Sequence, residues 1–212
     1  MLEPLLLTVA VVTVPFGLYL AFDRKETDKR VQRRINRHER TREALRRLSQ
    51  SEEHWNPSHL RFELRQNYRT IQKARQNGDW VVLESMVAAG VVGEWRKEWE
   101  RHESLGLKWF LDPLEIVDVQ AVNLQNRPGF DKDFVTVEIE TRRREYVQGA
   151  LGFYQEGSGD VSDTPETIPI DMAKEYWTFV RREKDWCLVR CDRIYPESLA
   201  FVDEECPAEE PT

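Results

Sequence analysis

Few residues in this chain could do chemistry. Acid–base work would fall to four histidines, His38, His54, His59 and His102, and to the acids Asp118, Glu138 and Glu140. General acid–base catalysis needs a positioned pair whose pKa values lie near the working pH. None of the histidines lies in a segment that reads as strand. Only His102, and after it His59, could face a concavity. Alternation with Val135, Val137 and Ile139 turns Glu138 and Glu140 outward. There is no glycine-rich phosphate loop, zinc spacing or nucleophile motif, so no catalytic residue, metal site or cofactor is expected.

The three cysteines, Cys187, Cys191 and Cys206, offer little more. On a strand, Cys187 and Cys191 share one face at roughly 13 Å. A disulfide needs Cα atoms within about 7 Å, so these two do not pair. The spacing fits no zinc ligand set. Free thiols in a reducing compartment are expected.

The strongest element is Glu175–Ile194, EYWTFVRREKDWCLVRCDRI. It reads as two strands joined by a charged turn at Arg182–Asp185. Trp177, Phe179 and Arg181 share one face of the first strand, and Trp186, Leu188 and Arg190 alternate along the second. Upstream, Asn56 caps a helix opened by Pro57, and Leu60, Leu64, Tyr68 and Ile71 recur at helical spacing. Asn77-Gly78-Asp79 breaks it, and Asp79 can cap the next. Val82, Leu83, Met86 and Val87 form a short second patch. Val92, Trp95, Trp99 and His102 stripe a third helix. From Leu114 the period becomes two. Leu114–Asn123 and Phe134–Val147 read as strands, 146–155 as a further strand or the far end of a bent one, and 157–169 as a loop. Arg142-Arg143-Arg144 reads as a solvated strand end. Helices followed by strands predict an α+β domain. Three helices pack on a curved antiparallel sheet of four to five strands, leaving a cone with a concavity.

Leu5–Phe22 carries no charge over eighteen positions. That length reaches the lower limit for a spanning helix. No basic residue precedes it, and YLAFD supplies only one of the two small residues a cleavage site wants, so an uncleaved single-pass anchor is expected. Residues 24–47 hold eleven Lys/Arg against four Asp/Glu, whereas residues 48–212 hold twenty against thirty-two. Basic residues after the span place the body on the inner side, cytoplasmic or in an organelle's matrix, with the N-terminus outside. The basic neck, free of Gly and Pro, reads as a stalk helix. Arg24, Lys25, Lys29, Arg30, Arg33 and Arg34 are expected to contact anionic lipid headgroups. An acidic body argues against nucleic acid as a partner. The organisation is thus 1–23 anchor, 24–54 stalk, 55–197 cone domain and 198–212 acidic tail.

The pattern Glu175, Trp177, Phe179, Arg181, Trp186, Leu188 and Arg193-Ile194 resembles the end of a domain shared by the mitochondrial inner-membrane translocase subunit 44 and its bacterial relatives. Tyr68, Ile71-Gln72, Ala74, Asp79 and Trp95 are similar to its helical part. The resemblance implies the cone fold of the nuclear transport factor 2 superfamily. It implies a non-enzymatic, membrane-associated binding domain that recruits or stabilises a protein complex. The location implied is a bacterial inner membrane, or alternatively the mitochondrial inner membrane. No transit peptide or long motor-binding region like the translocase subunit's is expected, so the membrane-anchored bacterial branch is the nearer comparison. Trp95, Trp99, Trp177, Phe179 and Trp186 read as core. The alternative is a pocket for an acyl chain, a small ligand or a partner's apolar anchor. Cones of this superfamily also host dehydratases and isomerases, the third reading.

Overall fold

The computed structural model describes residues 29, 31–126, 133–154, 161–162, 164–182 and 184–193. The chain divides into two compact units, residues 1–40 and 41–212. The expected span at 5–22, the tail at 198–212, Arg24, Lys25, Arg30 and Cys206 lie outside the described residues. Among the described residues no helix is long and apolar enough to cross a membrane.

In the first unit residues 31–40 are helical. Gln32 Nε2 donates to Asn36 Oδ1 at 3.0 Å, one turn on. Val31 and Ile35 are exposed, so this stretch buries no apolar stripe of its own.

The body begins with helical residues 41–48 (α1). Leu45 joins the hydrophobic core. Thr41 Oγ1 donates to the carbonyl of Val122 at 3.0 Å. A single 3-10 turn, Glu53–Trp55, then buries Trp55 completely. Helix α2 runs Pro57–Asn77. Asn56 Oδ1 accepts from the amides of Ser58 and His59, satisfying donors that have no partner inside the helix. Leu60, Leu64, Tyr68 and Ile71 are buried as their spacing requires, and Phe62, off the stripe, is exposed. Gly78 ends the helix at φ 67°, a left-handed conformation that costs other residues. Helices α3 (Trp80–Met86) and α4 (Ala89–Ser104) follow.

The strands are β1 (Lys108–Gln125), β2 (Phe134–Gly149), β3 (Gly152–Tyr154), β4 (Val161–Ser162), β5 (Asp171–Arg182) and β6 (Asp185–Asp192). They form one six-stranded sheet, all neighbours antiparallel. The expectation of four to five strands thus falls short by β4, which lies in the stretch read as a loop; β3 lies within 146–155, read as a further strand or the far end of a bent one. Long β2 sits at the centre. It pairs with β1 along one edge, and with β5 and then β3 along the other. β1 begins six residues before Leu114, because Asp112-Pro113 falls at a register shift between Leu111 and Leu114. Proline is tolerated at such a bulge on an edge strand. Two further shifts follow along β1, and bulges sharpen twist. The sheet therefore curls.

A bulge between Thr178 and Phe179 corrects the reading of the last hairpin. Beyond it Trp177 pairs with Cys191, and Thr178 with Arg190. Arg190 therefore leaves the face of Trp186 and Leu188, and Cys191 takes its place. Cys187, opposite Val180, lies on the other face from Cys191. The two thiols do not share a face as expected, and both are free.

Candidate functional site

The concave face of the sheet is filled with rings. Tyr68 lies 4.5 Å from Trp177 between ring centroids, and Trp55 lies 5.5 Å from Trp186. Trp177 and Phe179 are buried in one core with Ile71 of α2, Leu83 of α3 and Val92 of α4. A buried polar cluster sits among them. Arg143 Nη1 is 2.9 Å from Glu175 Oε1. It donates to the hydroxyl of Tyr68, which donates in turn to Glu175 Oε2 at 2.8 Å. Arg143 Nη2 reaches Glu145, whose other oxygen receives the Trp109 indole N–H and Arg193.

Arg143 is therefore no solvated strand end. Period two along β2 carries Val135, Val137, Ile139, Thr141 and Arg143 onto one buried face. The same alternation that predicted the strand was sufficient to find it. Arg142 and Arg144, its neighbours, face the other way, toward Glu115 and the carbonyl of Ile168.

Burial and the carboxylate of Glu175 push the Tyr68 hydroxyl well above its ordinary pKa. Burial pulls on Arg143 in the neutral direction, but Glu175, Tyr68 and Glu145 outweigh it and raise its pKa. Glu175 is paired with Arg143, and Tyr68 keeps its proton. A phenol held in this way does not suit proton transfer near neutral pH.

Beside this cluster lies a cavity of about 410 Å3. Helix α2 supplies Gln72 and Arg75, α4 supplies Glu94, Trp95 and Glu98, and β5 and β6 supply Glu175, Trp177 and Cys191. Arg75 pairs with Glu98 at 2.7 Å and stacks over Trp95 and Trp109. Gln72 is almost wholly buried, yet its Oε1 has no hydrogen-bond partner. Burial pushes the Cys191 thiol up to about 11.

Of the five aromatic residues singled out from sequence, only Trp95 and Trp177 line this cavity. Phe179 and Trp186 are buried core. Trp99 lies elsewhere, edge-on to Trp80 and against Gly78. Of the neck residues, Lys29 and Arg33 are exposed and Arg34 is half-buried. His59 is exposed and His102 half-buried. Asp118 pairs with Arg61 on α2, and Glu138 accepts from Lys174 and Tyr176.

Glu52, His54 and Asp133 bring ligand atoms within 4.8 Å of one another, the one group with metal-like spacing among the described residues. His54 is pushed below its ordinary pKa by burial and then by the positive charge of Arg181. That same charge opposes a second cation there, and His54 serves as a hydrogen-bonded tie to Asp133 at 3.4 Å.

A family model described as "Tim44-like domain" matches residues 41–193, well over half of the chain. The chain belongs to the Tim44-like domain family. The match begins at the residue where the compact body begins. No curated protein sequence matches the chain. Among solved structures, the chain is similar to the intermembrane-space region of the chloroplast protein ARC6, at 10% identity and a TM-score of 0.40, over 60% of this chain and 90% of that one. The curled sheet and its covering helices are consistent with the cone expected of the Tim44-like family.

Proposed function

We propose that this chain is a membrane-tethered, non-enzymatic scaffold whose Tim44-like body recruits or stabilises a protein complex at the inner face of the membrane. One observation supports this reading: packed rings and an ion-pair cluster of Arg143, Glu175 and Tyr68 occupy the interior, and the carboxylate that reaches the adjoining cavity, Glu175, is bound into that cluster. An enzyme of the dehydratase or isomerase type needs an open pocket with a poised acid–base pair. Here the interior acid is neutralised by Arg143 at 2.9 Å. Family membership points the same way. The uncharged stretch at 5–22 supplies the tether, and the basic residues that follow supply orientation and headgroup contact. A tether raises the local concentration of the body at the membrane without adding any contact. A bacterial inner membrane, with the body cytoplasmic, is the location proposed.

Crosslinking in native membranes, followed by mass spectrometry, tests the scaffold. Reproducible crosslinks from the body to one set of membrane proteins are expected. Their absence across replicates would sink the reading.

A second reading has its own observation. A hollow of about 360 Å3 is lined by Leu45, Leu60, Leu64 and Val119, by the paired Arg61 and Asp118, and by Arg42. An apolar lining beside a cation suits an anionic lipid. Vesicles with and without anionic lipid, offered to the full chain and to Arg42→Gln, distinguish it. Equal retention of both proteins would remove it.

A further inference from the structure

We propose that the chain's own acidic run, Asp203–Glu210, docks on the exposed basic side of helix α2 and covers it. The argument needs neither the scaffold reading nor the membrane.

Helix α2 is opposite in charge to the body that holds it. Residues 48–212 carry twenty Lys/Arg against thirty-two Asp/Glu, yet α2 carries five against one. Arg61, Arg65, Arg69 and Lys73 recur every four residues. That spacing sets them along one side of the helix over about 18 Å. Arg61 pairs with Asp118, and Arg65 donates to the carbonyl of Ile116. Arg69 and Lys73 are exposed and make no hydrogen bond or ion pair among the described residues. Like charges one turn apart repel, and an anion laid across them relieves that repulsion.

Charge and reach select the occupant. After β6 the chain passes Arg193, which lines the 410 Å3 cavity together with Gln72 and Arg75 of α2. It therefore leaves the sheet beside the C-terminal half of that helix. Asp203 follows ten residues after Arg193. Ten residues span at most about 33–36 Å. Lys73 and Arg69 stand only about 3 and 9 Å back along the helix axis from Arg75. The opposite wall of the cavity carries Glu94 and Glu98 of α4, a helix with four Glu against three Lys/Arg. An acidic run is repelled there and drawn to α2. DEECPAEE brings five carboxylates and no cation. Single exposed ion pairs are weak and screened by salt. A tethered run, however, meets its site at an effective concentration of about millimolar, so several weak pairs act together. While the run lies on α2, that face is closed to other anions.

The full chain in detergent micelles, labelled with 15N and carrying Cys187→Ala and Cys191→Ala, receives a nitroxide on Cys206, within the acidic run. The amide signals of Arg69 and Lys73 are expected to broaden. The broadening is expected to fall several-fold in Arg69→Gln with Lys73→Gln, and at 1 M salt, where screening acts over about 3 Å. It is expected to fall equally when Asp203→Asn is combined with Glu204→Gln, Glu205→Gln, Glu209→Gln and Glu210→Gln. Absent broadening, broadening confined to residues 29–48, or broadening indifferent to these charges overturns the proposal. So does broadening passed from spin-labelled chains to separate 15N chains, which would put the run on a second copy. A second measurement leaves the cysteines unchanged. Acetyl-hexaglutamate-amide is titrated into the native chain and into the chain with the five acids neutralised. It is expected to shift Arg69 and Lys73 at several-fold lower concentration in the neutralised chain. Equal titration of the two chains overturns the cover.

Discussion

Arg143 holds Glu175 at 2.9 Å inside the cone, with the Tyr68 hydroxyl bridging the pair. Removing one ion of a buried pair costs about 3–5 kcal/mol, because the other is left uncompensated. Arg143→Met is therefore expected to destabilise by about that much in urea denaturation. Arg143→Met combined with Glu175→Met is expected to be milder than the sum of the two single changes. Additive losses would show that the pair is not coupled.

The same cluster fixes the alkaline limit of stability. The folded chain keeps the Tyr68 proton above the ordinary phenol value of 10.0, whereas the unfolded chain loses it there. A raised folded-state pKa contributes stability that is complete below pH 10 and declines as pH rises beyond it. Tyr68→Phe is expected to be less stable at pH 7, for want of its bond to Glu175, and to fall less steeply above pH 10. Parallel profiles for the two proteins would contradict this.

Much of this was legible in the sequence, and the failures have definite physical causes. The caps at Asn56 and Asp79 and the stripe of α2 stand as read, because local hydrogen bonding and helical period act over a few residues. The start of β1 was missed because Pro113 signals a break, and only the neighbouring strand absorbs it as a bulge. The bulge at Thr178/Phe179 left no mark in either strand alone, so Cys191 was assigned to the wrong face. Arg143 was hidden by its neighbours: three arginines in a row read as solvated, although the period already placed the middle one inside. Gln72 could not be found as an unpartnered acceptor, since partnership is a property of three dimensions.

Leu45 and Ile35 test where the body begins. Leu45 is 7% exposed in the core, whereas Ile35 is 47% exposed. Leu45→Ala is expected to cost about 2–3 kcal/mol, as buried leucines do. Ile35→Ala is expected to change stability by less than about 0.5 kcal/mol. Thermal or urea unfolding of the two variants decides it, and similar values for both would contradict a body that starts at Thr41.

Gly78 and Gly93 should respond to alanine with opposite signs. At Gly78, φ is 67° and a Cβ would meet the Trp99 ring at 3.1 Å. Gly78→Ala is expected to destabilise by about 1–2 kcal/mol. Gly93 lies within α4 with nothing within 4 Å of a Cβ. Gly93→Ala is expected to stabilise by about 0.5–1 kcal/mol. Denaturation midpoints measure both.

Cys191 should be a slow thiol. With its pKa raised from 9.0 to about 11, its thiolate fraction at neutral pH is about 100-fold below that of an ordinary cysteine. Iodoacetamide labelling, followed peptide by peptide, is expected to be slower by about that factor in the native chain than in urea. Similar rates would contradict the raised pKa of this half-buried thiol.

The most direct test of the membrane-tethered scaffold compares crosslinked complexes from native membranes of cells carrying the full chain with those carrying a chain that starts at residue 29. The full chain is expected in the membrane fraction, crosslinked through residues 41–193 to one recurring set of membrane proteins. The shortened chain is expected to reach the same proteins at far lower yield. Recovery of the full chain without partners, or an undiminished yield once residues 1–28 are gone, would contradict it.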